Sequence, residues 1–412
     1  MSNDNPDVES KVEDKRSRER VLYARKHVLP DQKAPVAGGE PVTEALAVAL
    51  RNAVFGAPAA VPVPRPEWLR TAFTFRPAER ELGYGLTGGR STVRGLLAVV
   101  QAHVVRHLLF GVPAPFANST VMSSGMVHPY HHERLLRPTA LEQQDALCVA
   151  LSAILWRVGE RKRCVLTVPQ EESYLHPNQI YCPDGVTEKL QIFEVTSLED
   201  LQIVIKRYLY LFQAECGPGA LLLLYSAVLT RGLDKVVADM DQAQTSLIGA
   251  AEEGSACVVM LLLTGRATPY LHNGVLYVGD EEHYALPRWG VLSRGEVGLL
   301  LWDEAREDDA AQPGSRLKTP SLPVWVASGA GHFGLLFSTN RELLRNYHAE
   351  RRFDLHYYSC NGSHGLLSID TRYDCEEPRE PMVEALASPI EKVILSKWQD
   401  AHITWIKSSH AV

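Results

Sequence analysis

The sequence predicts an α+β fold, with a helical first half and a strand-rich C-terminal part. Three observations predict it. Apolar residues recur at helical spacing through long windows of the first half. Short apolar runs bounded by Gly, Pro, Ser and Asn dominate the last third. The composition is that of an ordinary globular chain: of 412 residues, 45% are hydrophobic and 22% charged, which excludes collagen-like and wholly disordered proteins.

Taken in order, residues 1–40 read as a charged, disordered tail, too poor in apolar groups to offset chain entropy. A short helix over Leu22–His27 is allowed within it. One main body is expected over 41–408. Thr43 is placed to cap a helix running through Val54, and the proline-rich stretch from Gly56 to Pro66 reads as an extended connector. Val93, Leu96, Leu97, Val100, Val104 and Leu108 predict a helix to Phe110. Thr139-Ala140-Leu141-Glu142 has capping-box form and opens a helix to about Trp156. Ser197 caps a helix over Leu198–Phe212, and a further helix is expected at Leu233–Met240. Strands are expected at Cys164–Val168, Leu190–Val195, Leu221–Tyr225 and Cys257–Leu263. In the C-terminal third they are expected at Leu299–Trp302, Val324–Ala327, His332–Phe337, Phe353–Tyr358 and Leu366–Ile369.

Composition also narrows function. A net charge of -7 gives no basis for a nucleic-acid partner. No apolar run approaches the ~20 residues of a membrane helix, so no membrane partner is expected. The N-terminus lacks the apolar core of a secretory signal. Seven cysteines, scattered singly at 148, 164, 182, 216, 257, 360 and 375, suggest neither a disulfide framework nor a zinc ribbon. An intracellular location, cytoplasmic or nuclear, fits best.

Two motifs invite specific chemistry. Gly83-Tyr84-Gly85-Leu86-Thr87-Gly88 matches G-x-G-x-x-G, the pattern of a phosphate-cradling turn. Its context is wrong, since no Asp or Glu follows between Glu81 and Glu133 to hold a ribose, and no Walker Lys follows the second glycine. Nucleotide binding through Gly83–Gly88 therefore remains only a rival reading. His128-Pro129-Tyr130-His131-His132 offers three imidazoles, but too few ligands for tetrahedral zinc; a loop is preferred, and no metal or cofactor is expected.

Two longer blocks carry a resemblance. One runs from Tyr84 to Gln101 (Tyr-Gly-Leu-Thr-Gly-Gly-Arg-Ser-Thr-Val-Arg-Gly-Leu-Leu-Ala-Val-Val-Gln). The other joins Leu317-Lys318-Thr319-Pro320 and Pro323–Val326 to His332-Phe333-Gly334-Leu335-Leu336-Phe337-Ser338. Leu263–Ala267, Phe353–Tyr358 and Ile369–Thr371 support them. Together, over about Leu46 to Trp405, these resemble the MINDY deubiquitinases, in the branch with the longer catalytic domain. The resemblance implies a papain-like cysteine isopeptidase fold, acting on degradation-type polyubiquitin chains. It also implies a Gly-Gly-Pro-Cys-Gly segment opening a helix, a glutamine shortly before it and a histidine on a distant strand.

Matched residue by residue, the family cysteine falls on Arg94, its proline on Val93 and its two glycines on Ser91 and Thr92. The oxyanion glutamine falls on Gly88, and the histidine is kept as His332. A cysteine at a helix N-terminus is favoured as thiolate, whereas a guanidinium is permanently cationic and no nucleophile. The expectation is a pseudo-deubiquitinase with no functional catalytic residue, retaining at most a ubiquitin-binding or scaffolding role. Arg94 must then find a carboxylate, a carbonyl, water or a bound partner. The rival is an active enzyme with a relocated nucleophile, although Cys148, Cys164, Cys182, Cys257 and Cys360 lack the helix-opening context of a reactive thiol. No acidic–apolar ubiquitin-interacting helix is evident. Read without the resemblance, His332 is a core histidine inside an apolar strand, and Trp325, Trp398 and Trp405 are packing residues.

Overall fold

Within a computed structural model, the residues described are 35–56, 64–111, 133–241, 245–248, 253–279, 286–303, 312–372 and 387–408. The body begins at Val36. The expected helix at Leu22–His27, the His128–His132 cluster and Cys375 lie outside the described residues.

In chain order the helices are α1 (Glu44–Phe55), α2 (Pro66–Arg70), α3 (Arg94–Phe110), α4 (Ala140–Val158), α5 (Leu198–Gln213), α6 (Gly219–Arg231), α7 (Leu233–Asp239), α8 (Ala256–Thr264), α9 (Ser315–Lys318) and α10 (Pro389–Leu395). The strands are β1 (Glu40–Pro41), β2 (Cys164–Pro169), β3 (Leu190–Val195), β4 (Val275–Val278), β5 (Leu286–Trp289), β6 (Gly298–Trp302), β7 (Val324–Gly329), β8 (His332–Phe337), β9 (Arg352–Tyr358), β10 (His364–Asp370) and β11 (His402–Ser408).

Helix starts follow the capping chemistry. Thr43 accepts the Leu46 N–H, Ser197 accepts the Asp200 N–H, and Thr139 and Glu142 satisfy one another reciprocally. A second capping box, Ser388 with Glu391 behind Pro389, opens α10. Three sheets form: β1-β3-β2, the β4-β5 pair, and a six-stranded sheet in the order β11-β10-β9-β8-β7-β6. That large sheet is antiparallel except for the parallel β6–β7 pair.

Alternation along its strands splits the core. Val324, Val326, Leu335, Phe337 and Tyr358 face the helices, whereas Trp325, Ala327, Leu336, Leu355, Leu367 and Ile369 face α10. Helix α3 is buried on every side from Arg94 to Val105, packed among α4, α8, β7 and β8. The start of α3 is thereby held against the sheet at the beginning of β8.

Two expected strands are helices instead. Leu221–Tyr225 lies within α6 and Cys257–Leu263 within α8. Both segments are buried all round, so their apolar runs carry neither a 3.6 nor a 2.0 period. Their leucine content favours helix over strand, and Ser255 caps α8 by accepting the Cys257 N–H.

Candidate functional site

The glycine-rich loop is folded from its own backbone and from α3. Gln101, fully buried, donates from Nε2 to the Tyr84 carbonyl (2.8 Å) and accepts the Leu86 N–H at Oε1. Tyr358 donates to the Leu86 carbonyl at 2.7 Å while accepting from Arg76 Nε at 3.1 Å. Gly85 is small because its Cα faces the Tyr358 ring: a Cβ there would lie 2.4 Å from it. The N–H groups of Gly83, Gly85, Thr87 and Gly88 go to the carbonyls of Arg80, Leu82, Thr74 and Cys360. The donors a phosphate would need are thus used within the chain.

At the end of this loop Arg94 occupies the first turn of α3, behind Val93, a cap residue with no side-chain hydrogen bond. Its guanidinium is 3% exposed and its partners come from three directions. Nη1 donates to Ser359 Oγ (3.0 Å), Nη2 to the Gly88 carbonyl (3.4 Å) and Nε to the Gly89 carbonyl (3.4 Å). Nε also lies 4.0 Å from Glu253 Oε2. A cation at the positive end of a helix is unfavourable on its own, and these acceptors offset that.

His332 opens β8 rather than sitting inside it, and its side chain is 47% exposed. It is therefore not a core histidine. Its Nδ1 lies 3.0 Å from Glu253 Oε1, and the neighbouring Phe333 N–H donates to Glu253 Oε2 at 3.0 Å. Arg94 and His332 are thus gathered on one buried carboxylate, and Gly88 is tied to the same corner through its carbonyl. Glu253 carried no signal in the sequence. It reaches His332 across 79 positions, by a turn in which Gly254 has φ +119 and passes under the Thr92 carbonyl.

The thiols are elsewhere in character. Burial pushes Cys164, beside Thr230, up to about 12, and Cys360 up to about 11 despite the nearby Arg94 and Arg76. Burial also raises Cys148, whose Sγ faces the Gln202 carbonyl. Cys257 is buried in α8. Cys360 lies in the turn after β9, where it is buried and its carbonyl accepts the Gly88 N–H. Cys182 is exposed, but it precedes a 3₁₀ turn and does not open an α-helix. Among the described residues no group of three or more His, Cys, Asp or Glu could hold a metal ion, and no helix is long and apolar enough to cross a membrane.

Comparison of the chain with known proteins finds a family. The model of the deubiquitinating enzyme MINDY-3/4 conserved domain matches residues 51–407. The probable ubiquitin carboxyl-terminal hydrolase MINDY-4 of Xenopus tropicalis is 32% identical over 371 residues, covering 89% of this chain and 46% of that protein. The human MINDY-4 is 30% identical over 398 residues, covering 96% and 49%. The human ubiquitin carboxyl-terminal hydrolase MINDY-3 is 31% identical over 127 residues, covering 31% and 27%. The chain spans about half the length of the MINDY-4 relatives it matches. No solved structure matches it.

Proposed function

Since the chain belongs to the MINDY-3/4 deubiquitinase family, we propose that it is a catalytically inactive member, keeping a papain-like body while lacking the chemistry. The observation that carries this reading is Arg94. The residue that the motif resemblance aligns with the family nucleophile is a buried guanidinium, held by Ser359, two loop carbonyls and Glu253. Acyl transfer needs a thiolate, a proton carrier and donors aimed at the developing oxyanion. Here only the imidazole of His332 remains.

The oxyanion side is closed as well. Gly88 has no side chain to offer, and a Cβ there would lie 2.5 Å from Leu97 Cδ1, so a longer side chain displaces the core. The Gly88 N–H is spent on the Cys360 carbonyl and the Arg94 N–H on the Ser91 carbonyl, both at 3.0 Å. The raised thiols of Cys148, Cys164 and Cys360 weigh against a relocated nucleophile. The retained role is recognition of ubiquitin or of degradation-type polyubiquitin, as a scaffold or a modulator of active relatives.

The test pairs a ubiquitin electrophile probe with a hydrolysis assay, both run beside an active relative. The native chain forms no adduct. Arg94→Cys supplies sulfur but no oxyanion donor, and loss of one such donor costs about 10²–10³ in rate. Its turnover of diubiquitin therefore stays at least about 100-fold below the relative. An adduct on the native chain, abolished by a single Cys→Ala change, would establish a relocated nucleophile instead.

A further inference from the structure

Half of the exposed large apolar side chains among the described residues fall between Leu276 and Leu292, on and just after the β4–β5 hairpin. Tyr277 and Leu286 are each 70% exposed, and Leu276, Val278 and Trp289 are exposed on the same two strands. Leu276 and Val278 point to one side of the hairpin and Tyr277 to the other, so both faces carry apolar groups in water. Two four-residue strands without a third are marginal on their own, and an apolar cluster of this kind marks a contact surface.

The register shows which edge is open. The Gly290 N–H donates to the Gly274 carbonyl, so alternation makes Leu276–Arg288 and Val278–Leu286 the next bonded pairs. The backbone N–H and C=O groups of Val275 and Tyr277 therefore turn outward, where they have no partner among the described residues. The β5 edge is blocked: Pro287 has no N–H, and the Trp289 carbonyl accepts the Thr268 hydroxyl at 2.7 Å. β4 itself, Val-Leu-Tyr-Val, carries none of the charges or prolines that protect an edge strand.

Charge says what kind of strand fits. Arg316 lies beside the start of β4, where a Cβ at Gly274 would be 3.9 Å from its Nη1, and that nitrogen donates to the Val291 carbonyl. Arg288 stands opposite Leu276, with its guanidinium 5.2 Å from the Tyr270 ring centre. Neither has a carboxylate partner among the described residues. The nearby acids are taken, Asp239 by Arg231 and Arg266, and Asp241 by the Tyr270 hydroxyl. After β4 the sequence continues to Asp280-Glu281-Glu282, outside the described residues, and like charge disfavours a partner's acids at that end of the strand.

We propose that the β4 edge is a docking strand for an extended segment of a partner protein, apolar along its length and acidic at its C-terminal end. The segment pairs antiparallel to β4 through Val275 and Tyr277 and lays alternate side chains on Leu276 and Tyr277. Its carboxylates meet Arg288 and Arg316. No residue of this surface belongs to the corner around Arg94.

The experiment titrates the full chain into a fluorescein-labelled peptide, Val-Thr-Val-Thr-Val-Asp-Glu-Asp, and follows anisotropy. Binding saturates, and replacing the three acids by lysine weakens it about ten-fold or more. Arg288→Glu together with Arg316→Glu inverts that preference. Tyr277→Pro deletes one outward N–H without removing a bond of the hairpin, and it weakens the acidic peptide by about ten-fold. N-methylation of the valine amides in one peptide and of the threonine amides in another abolishes binding by one of the two. That comparison leaves the chain unaltered and so covers variants that fail to fold. Absence of saturable binding, equal binding of acidic and lysine peptides, or full binding by both methylated peptides overturns the proposal. So does a concentration-dependent dimer in sedimentation that Tyr277→Pro abolishes, because the occupant of β4 is then a second copy of the chain.

Discussion

At the scale of single residues, the largest commitment outside the candidate site is Arg51. It is fully buried on α1, where helix periodicity marks only a position on the inner face. Its guanidinium pairs with Asp184 at 2.5 Å, lies 3.8 Å from Glu188, donates to the Cys182 carbonyl and the Tyr181 hydroxyl, and sits 4.4 Å from the Tyr181 ring centre. Asp184 in turn accepts the Val186 and Thr187 N–H groups, so one arginine organises the whole turn before β3. Removing one partner of a buried pair leaves a charge stranded, which costs about 3–5 kcal/mol. Arg51→Ala is expected to lose that much in urea unfolding. A loss under about 1 kcal/mol would mean that water replaces the guanidinium at the two carboxylates.

At the scale of elements, α3 joins the corner to the core and carries a liability with it. His103 lies mid-helix, fully buried, and neither ring nitrogen has a hydrogen-bond partner. Burial holds its proton affinity well below the ordinary value, and two cations push the same way: Arg157 from α4 and Arg106 from α3 itself, the latter paired with Glu296. His107, one turn on, is lowered too, with Asp145 at 3.5 Å opposing. The sign follows from linkage. The unfolded chain takes up a proton near pH 6.5 that folded His103 refuses, so its stabilising share is complete above that pH and is lost as pH falls below it. Unfolding free energy should drop by about 1.4 kcal/mol per pH unit for one such proton between pH 6 and 5. His103→Leu should flatten that slope, and an unchanged slope would assign the proton uptake to other groups.

The same scale separates what was legible from what was not. α1, α4 and α5 show in the sequence because a cap marks where each begins, and α3, although buried on every side from Arg94 to Val105, shows because its uninterrupted apolar stretch is too long for a strand. α6 and α8 do not, because burial on every side erases the period. β4 and β5 escaped because Leu276, Tyr277, Val278 and Leu286 stay exposed and show no inside-outside alternation. At the candidate site, motif resemblance alone singles out Arg94, Gly88 and His332 in the sequence. Glu253 has no motif, since its contacts with His332 and Phe333 exist only once a turn carries it across to β8.

For the molecule as a whole, the six-stranded sheet is the element that the two cores share. Its helix-facing side holds Phe333 and Tyr358 beside the candidate site. Its other side holds Trp325 and Trp398 in edge contact at 5.7 Å, under Ile390, Val393 and Ile394 of α10. Trp302 and Trp405 pack on this second side too, so tryptophan fluorescence weighs toward it, while the many helices on the first side dominate far-UV circular dichroism. Neither face can melt alone without leaving β7, β8 and β9 with one bare apolar surface. Ile394→Ala removes buried methyl groups from the second side, at an expected cost of about 2–5 kcal/mol. Because the strands are common to both layers, the fluorescence and dichroism transitions should shift together to the same lower denaturant midpoint. If fluorescence alone moved, the layer under α10 would be an independent folding unit, and a disturbance there would not reach the corner where Arg94 and His332 meet Glu253.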